Sequence, residues 1–146
     1  MELKKSEEVL AEVHRNCQLA IQSITDILPE VEDNEVKEEL LRQHEEYEKI
    51  CGKASIIAKD KNIELKNPGP IKKAMMWSSI KMNTIKDNSR AHIAEMMAQG
   101  TVMGITALKS SLSDMSEQAD EQIEQLANEL LHSEEQFEKT WKNLIA

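Results

Sequence analysis

Apolar residues recur every three or four positions through long stretches of this chain, and this spacing constrains the fold more than any other feature. The first stretch contains Leu3, Leu10, Val13, Cys17, Ile21, Ile24 and Leu28. The last contains Ile123, Leu126, Leu130, Phe137, Trp141 and Leu144. Such spacing places side chains on one face of an α-helix. Because helices with apolar faces bury them against one another, the sequence predicts an all-α bundle.

Helix-breaking residues divide the pattern into segments. Pro29 ends the first helix, Asn67 to Pro70 follows the second, and Asp87-Asn88-Ser89 offers a cap for a later one. We expect Asn34 to cap the second helix. The predicted helices cover residues 3–28, 34–61, 71–86, 90–110 and 116–145. We interpret residues 1–146 as one domain, a four-helix bundle whose long crossover carries the short fifth helix 71–86. A single kinked helix over 71–110 is the alternative.

Charge and hydropathy exclude several classes of function. The net charge of −9 argues against a nucleic-acid binder or a protein of anionic membranes, because phosphate affinity comes from clustered Lys and Arg. No apolar run approaches the roughly 18 residues of a membrane span. We therefore expect a cytoplasmic protein whose Cys17 and Cys51 are reduced thiols. If the first two helices meet at a turn near Glu30, Cys17 is level with His44. Its offset from Cys51 is then about 9 Å along the axis, which is too far for a disulfide.

One segment is basic in an otherwise acidic chain, and it suggests an anion site under the crossover. Charge alone supports this site, and balancing the acidic helices is the simpler interpretation. Its residues are Lys72, Lys73, Lys81 and Arg90.

Several polar side chains fall on predicted inward faces, where a carboxylate or imidazole costs several kcal/mol unless it is paired or holds a metal. Those on the first, second and last helices are His14, Gln43, His44, Tyr47 and Glu134. The helix 90–110 is apolar around most of its circumference but carries one polar strip, with His92, Glu95 and Gln99. Counting from a turn near Ser113 makes His92 level with Glu134. Because a helix that is apolar on most sides is either buried on several sides or used in self-association, we expect a homo-oligomer through residues 90–110. Gly100 and Gly104 on this helix would let another helix approach closely.

Four segments of the chain resemble an uncharacterised bacterial branch of the ferritin-like four-helix bundles. They are Glu39–Ile50, Met75–Thr84, His92–Ile105 and Leu126–Glu138. The resemblance implies the ferritin-like bundle fold and no particular activity. The wider superfamily holds two iron or manganese ions with Glu residues and two Glu-x-x-His pairs. Here Glu129 and His132 match such a pair in letters but fall outside the apolar stripe, so a standard two-metal centre is not expected.

Three interpretations of the inward polar groups follow. The first is a site for iron, manganese or zinc with ligands His14, His44, His92, Glu95 and Glu134, supported by Gln43, Tyr47 and Gln99. The second is a structural network in a non-catalytic, self-associating scaffold, in which Glu134 pairs with His92 and Tyr47 with Gln43 or His14. The third is a pocket for a small ligand. Whether the protein is an enzyme stays open at this point.

Overall fold

Four α-helices make up the part of the chain that the computed structural model describes, residues 2–65, 89–115 and 120–145. They are α1 (Glu2–Ile27), α2 (Asn34–Asp60), α3 (Arg90–Ser113) and α4 (Glu121–Ile145), and these ranges contain no strand. A short 3-10 helix, Leu28–Glu30, follows α1. The all-α prediction is confirmed. The predicted helix 71–86, and the question of one or two helices over 71–110, lie outside the described residues.

Local capping bonds explain where the helices begin. Asp33 Oδ1 accepts a hydrogen bond from the Val36 backbone N–H at 3.0 Å, so Asp33 caps α2 and the prediction of Asn34 was wrong. Ser89 caps α3, as the Asp87-Asn88-Ser89 segment suggested. At the start of α4, Asp120 Oδ1 accepts from the Ile123 N–H at 3.1 Å. This helix therefore begins at Glu121, later than the predicted residue 116.

The predicted apolar stripes form the core between the helices. The fully or almost fully buried side chains include Leu10, Val13, Ile24, Val36, Leu40, Ile50, Ile93, Leu108, Ile123, Leu130, Phe137 and Trp141. They come from all four helices and form one continuous cluster. At roughly 25 cal/mol per Å² of apolar surface, burial of these side chains is the main force that holds the bundle together.

Contacts at the helix ends give the direction of each helix. Arg90 Nε lies 2.9 Å from Asp33 Oδ2, so α3 begins beside the start of α2. Lys61 Nζ lies 2.6 Å from Asp120 Oδ2, and the Asp120 N–H donates to Ser6 Oγ, so α4 begins beside the end of α2 and the start of α1. Helices α1 and α4 therefore run in one direction, and α2 and α3 in the other. Residues 65 and 89 lie at opposite ends of the bundle.

Helices α1 and α2 pair in a different register from the predicted one. Gln18 Nε2 donates to Cys51 Sγ at 3.3 Å, and Thr25 Oγ1 lies 3.4 Å from His44 Nε2. Cys17 is thus close to the level of Cys51, and its predicted alignment with His44 was wrong. The physical reason is that the chain reverses beside Asp33 and not at Glu30. Both cysteines are free thiols, and burial followed by the nearby Cys51 raises the pKa of Cys17 far above its ordinary value.

Within the described ranges, no helix combines the length and the apolar character that a membrane crossing requires.

Candidate functional site

The carboxyl group of Glu134 lies in the centre of the bundle and is bonded from two other helices. Its helix places it four positions after Leu130 and three before Phe137, on the buried face, and it is only 1% exposed. Glu134 Oε1 accepts a hydrogen bond from Asn16 Nδ2 of α1 at 2.9 Å. Glu134 Oε2 accepts from the Tyr47 hydroxyl of α2, also at 2.9 Å. We call Asn16, Tyr47 and Glu134 the carboxyl network.

The remaining helix, α3, meets this network at a glycine. Asn16 Nδ2 donates a second hydrogen bond, at 3.2 Å, to the backbone carbonyl of Gly104. A Cβ atom on Gly104 would lie 2.8 Å from Glu134 Oε2 and 2.9 Å from the Asn16 amide, closer than such atoms can approach. Only glycine fits here without a shift of the network. The four helices therefore all converge on one polar group.

A second polar contact lies about two turns further along α4. The buried indole Nε1 of Trp141 donates to Gln43 Oε1 at 3.1 Å, and Gln43 Nε2 donates to Glu39 Oε1 at 2.8 Å. The rings of Tyr47 and Phe137 pack between the two polar contacts, with their centroids 5.4 Å apart. Gln43 is thus satisfied by Trp141 and Glu39 and takes no part in the carboxyl network.

Burial dominates the electrostatics of the carboxyl network. Loss of water raises the pKa of Glu134 from 4.5 to about 7, against the opposing effect of the bonds from Tyr47 and Asn16. The negative charge of Glu12 raises this pKa further. Burial, and then the Glu134 charge, raises the pKa of Tyr47 well above its ordinary value. Among the described residues no lysine or arginine forms an ion pair with Glu134.

A cleft of about 180 Å³ lies between α1 and α3 and has the carboxyl network in its wall. The other lining residues are mostly apolar or small: Leu19, Ala20, Ser23, Met96, Met97, Gly100, Thr101, Met103, Gly104 and Ala107. Glu12 and Arg15 also line it, and Arg15 Nη2 lies 2.7 Å from Glu12 Oε1. A Cβ atom on Gly100 would meet nothing within 4 Å, so this glycine borders open space.

The histidines of α1 and α2 do not join Glu134. His14 is buried, as predicted, but it precedes Asn16 by two positions, about 200° around the helix, and so faces away from the carboxyl network. His44 is half-buried. Its Nδ1 lies 2.7 Å from Glu48 Oε1 and its Nε2 contacts Thr25. The predicted bond of Tyr47 to Gln43 or His14 was wrong, since Tyr47 donates to Glu134.

The predicted polar strip of α3 is also displaced from Glu134. Glu95 and Gln99 are exposed, because the inward positions of this helix are taken by residues such as Ile93, Met97, Thr101, Ile105 and Leu108. His92 is half-buried in the first turn of α3. Glu134 is level with Gly104, which lies twelve residues and about 18 Å further along α3 than His92. The predicted pairing of His92 with Glu134 was wrong because the α3–α4 hairpin reverses later than Ser113.

The five predicted metal ligands are therefore not brought together. No group of three or more His, Cys, Asp or Glu side chains suited to a metal ion is found in residues 2–65, 89–115 and 120–145. Both carboxylate oxygens of Glu134 are engaged by neutral hydrogen-bond donors, and none of the predicted ligands lies beside them. These residues do not fit the paired-carboxylate centre of the ferritin-like superfamily.

The predicted anion site lies mostly outside the described residues, which include neither Lys72, Lys73 nor Lys81. Arg90 is described, and its guanidinium is paired with Asp33 at 2.9 Å and Glu35 at 3.6 Å. Arg90 therefore serves the contact between α2 and α3.

The sequence analysis did not identify Asn16 as a partner of Glu134. A second stripe on α1, at three- and four-residue spacing, could have revealed it: Ser6, Val9, Val13, Asn16, Ala20, Ser23 and Ile27. Asn16, Ala20 and Ser23 of this stripe line the cleft. Gly104 lets Asn16 and Glu134 of two other helices approach α3 closely, so the close helix approach that its spacing from Gly100 suggested occurs within the bundle.

Comparison with known proteins gives no relative. No protein-family model matches the chain, and neither a curated protein nor a solved structure matches it.

The first prediction concerns the two glycines of α3. Gly104→Ala places a methyl group against Glu134 and Asn16, and we expect a loss of roughly 1–3 kcal/mol in the free energy of unfolding. Gly100→Ala is the matched control, since its methyl group enters open space and alanine favours the helix by roughly 0.5–1 kcal/mol. Urea unfolding measures both. Equal stability of the two variants would contradict the close contact at Gly104.

The second prediction concerns the pH dependence of stability. Because the pKa of Glu134 is about 7 in the folded protein and 4.5 for a glutamate in water, the folded state holds this proton more tightly than the unfolded chain. The contribution of Glu134 to stability is therefore greatest below pH 4.5 and falls as the pH rises to 7. Subtracting the unfolding free energy of Glu134→Gln from that of the wild type isolates this effect. We expect the difference to fall by about 3 kcal/mol over this window and to stay level above it. A constant difference would refute the assignment.

Proposed function

We propose that this protein binds a small, mostly apolar organic molecule in the cleft between α1 and α3. The observation that carries the proposal is a cleft of about 180 Å³ whose wall contains the buried, hydrogen-bonded Glu134 carboxyl group. Apolar walls with a few fixed polar groups are the usual composition of small-molecule sites. The proposal concerns binding alone and names no reaction.

Gly100 contributes to the open space of the cleft. Glycine inside a helix costs roughly 1 kcal/mol relative to alanine, and nothing in the described residues packs close enough to require it. A larger side chain at this position would occupy the cleft. The absence of a side chain at Gly100 therefore leaves room in the cleft that a ligand can occupy.

The volume of the cleft limits the ligand to about one ring. An engineered apolar cavity of about 150 Å³ accepts a benzene molecule. A cleft of about 180 Å³ therefore suits a ligand with roughly seven to ten non-hydrogen atoms. Ligands of this size bury little surface, so we expect affinities in the micromolar to millimolar range.

For the architecture we propose the ferritin-like order with one long connection. Support comes from the helix directions, since α1 and α4 run one way and α2 and α3 the other, and residues 65 and 89 lie at opposite ends. The proposal does not extend to a metal centre, because the donor set around Glu134 does not fit one. Binding of iron, manganese or zinc by the predicted ligands stays a prediction of the sequence alone.

A self-associating scaffold is the second candidate, and one observation favours it. Met103, which lines the cleft, is 69% exposed on the outer side of α3. Two copies that meet at this surface would cover the cleft and exclude a small molecule from it. The binding experiment below therefore separates the two candidates.

The third prediction tests occupation of the cleft with benzyl alcohol, a neutral ligand of suitable size, by saturation-transfer NMR. We expect a signal with the wild type and its loss in Gly100→Leu, because the leucine fills the cleft. Gly52→Leu is the matched control, since Gly52 also sits in a helix with open space around it but does not line the cleft. An absent wild-type signal, or equal binding by Gly100→Leu, would refute the proposed function.

A further inference from the structure

We infer that the ligand of the cleft is a small organic cation, an ammonium group on an apolar ring or short chain, whose N–H groups donate to Glu134 and Asn16. The inference rests on the proposed binding function of the same cleft and names the chemical class of its ligand. Three features carry it: the charge of the wall, the balance of donors and acceptors, and the distribution of polar groups in the cleft.

The charge of the wall calls for a cation. Glu134 is buried, and in the described part of the chain no lysine or arginine pairs with it. The charged side chain that perturbs it is Glu12, which has the same sign. A buried carboxylate without a counter-charge is costly, and the cost falls when a cation hydrogen-bonds to it. A ligand ammonium would supply the missing charge.

The hydrogen bonds already made leave the wall with acceptors. Both N–H groups of Asn16 are used, one on Gly104 O and one on Glu134 Oε1, and the Tyr47 hydroxyl proton is used on Glu134 Oε2. Each carboxylate oxygen can accept a further bond, and Asn16 Oδ1 has no donor among the described residues. An ammonium carries three donors and no acceptor, which complements this wall.

The rest of the cleft adds little polar competition. Thr101 donates its hydroxyl proton to Met97 O at 2.7 Å, and Ser23 donates to Leu19 O at 2.8 Å, so both are satisfied within their own helices. The thioethers of Met96 and Met103 can adapt to the shape of an apolar body. The polar end of a ligand is therefore directed to the carboxyl network.

Arg15 is the one described cation that lines the cleft, and it does not make the cleft wall positively charged. Its Nη2 is 2.7 Å from Glu12 Oε1, so its charge is already paired. Its Nε is buried without a hydrogen-bond partner in the described residues, which leaves one donor for a neutral oxygen of a ligand. Since the Arg15–Glu12 pair is neutral as a whole, an anionic ligand would still face the unpaired carboxylate of Glu134.

The test compares benzylamine with benzyl alcohol, two ligands of nearly the same shape, by titration calorimetry at pH 8, where Glu134 is mostly ionised. We expect the wild type to bind benzylamine roughly tenfold or more tightly, the usual gain from a charged hydrogen bond. In Glu134→Gln the preference should fall toward one. Glu135→Gln, a neighbouring carboxylate that pairs with Lys109 outside the cleft, is the matched control and should keep the wild-type preference.

Each outcome decides a separate claim. Equal affinity of the wild type for both ligands overturns the cation and leaves the proposed binding function intact. Failure of both ligands to bind removes the proposed function as well. A preference for benzylamine that survives in Glu134→Gln or in Gly100→Leu would assign it to the acidic surface and overturn the inference. If Glu134→Gln does not fold, the wild-type preference and its loss in Gly100→Leu still decide the question.

Discussion

A buried carboxyl group organises this bundle. Glu134 of α4 receives one hydrogen bond from α1 and one from α2, and α3 reaches it through the bare backbone of Gly104. Apolar packing holds the helices together, but it would tolerate small slips of one helix against another. Directed hydrogen bonds to one group from different helices do not, because a slip leaves a buried polar group unsatisfied. The network thus fixes the register of the four helices at one depth.

The same arrangement produces the cleft. Because Gly104 has no side chain, Asn16 and Glu134 lie directly against α3 at this position. One turn earlier, Gly100 has no neighbouring atom where its side chain would be, so space is left open there. Asn16, Ala20 and Ser23 on the facing side of α1 are too small to fill that space. The polar group that fixes the register is therefore also part of a wall that a small molecule can reach, and this couples the stability of the fold to the proposed site.

Much of the fold could be predicted from periodicity, and the site only in part. The spacing of Leu130, Glu134 and Phe137 placed the carboxyl group inside, and the stripe of α2 placed Tyr47 inside, as the structure confirms. Rotation about a helix is fixed by local sequence, which is why these predictions succeeded. Depth along a helix depends on where each hairpin reverses. Placing the reversal at Ser113 moved the predicted partner of Glu134 from Gly104 to His92. Apolar residues are distributed almost evenly around α3, so the sequence does not indicate which face of this helix is buried. For this reason the exposure of Glu95 and Gln99 could not be predicted.

The most direct measurement of the central claim is a pH titration of the Glu134 side-chain carboxyl carbon by ¹³C NMR, assigned by the absence of its signal in Glu134→Gln. A carboxyl group buried among four helices should titrate with a midpoint near pH 7. A midpoint near 4.5, the value of a carboxyl group in water, would place Glu134 outside the core and contradict the account.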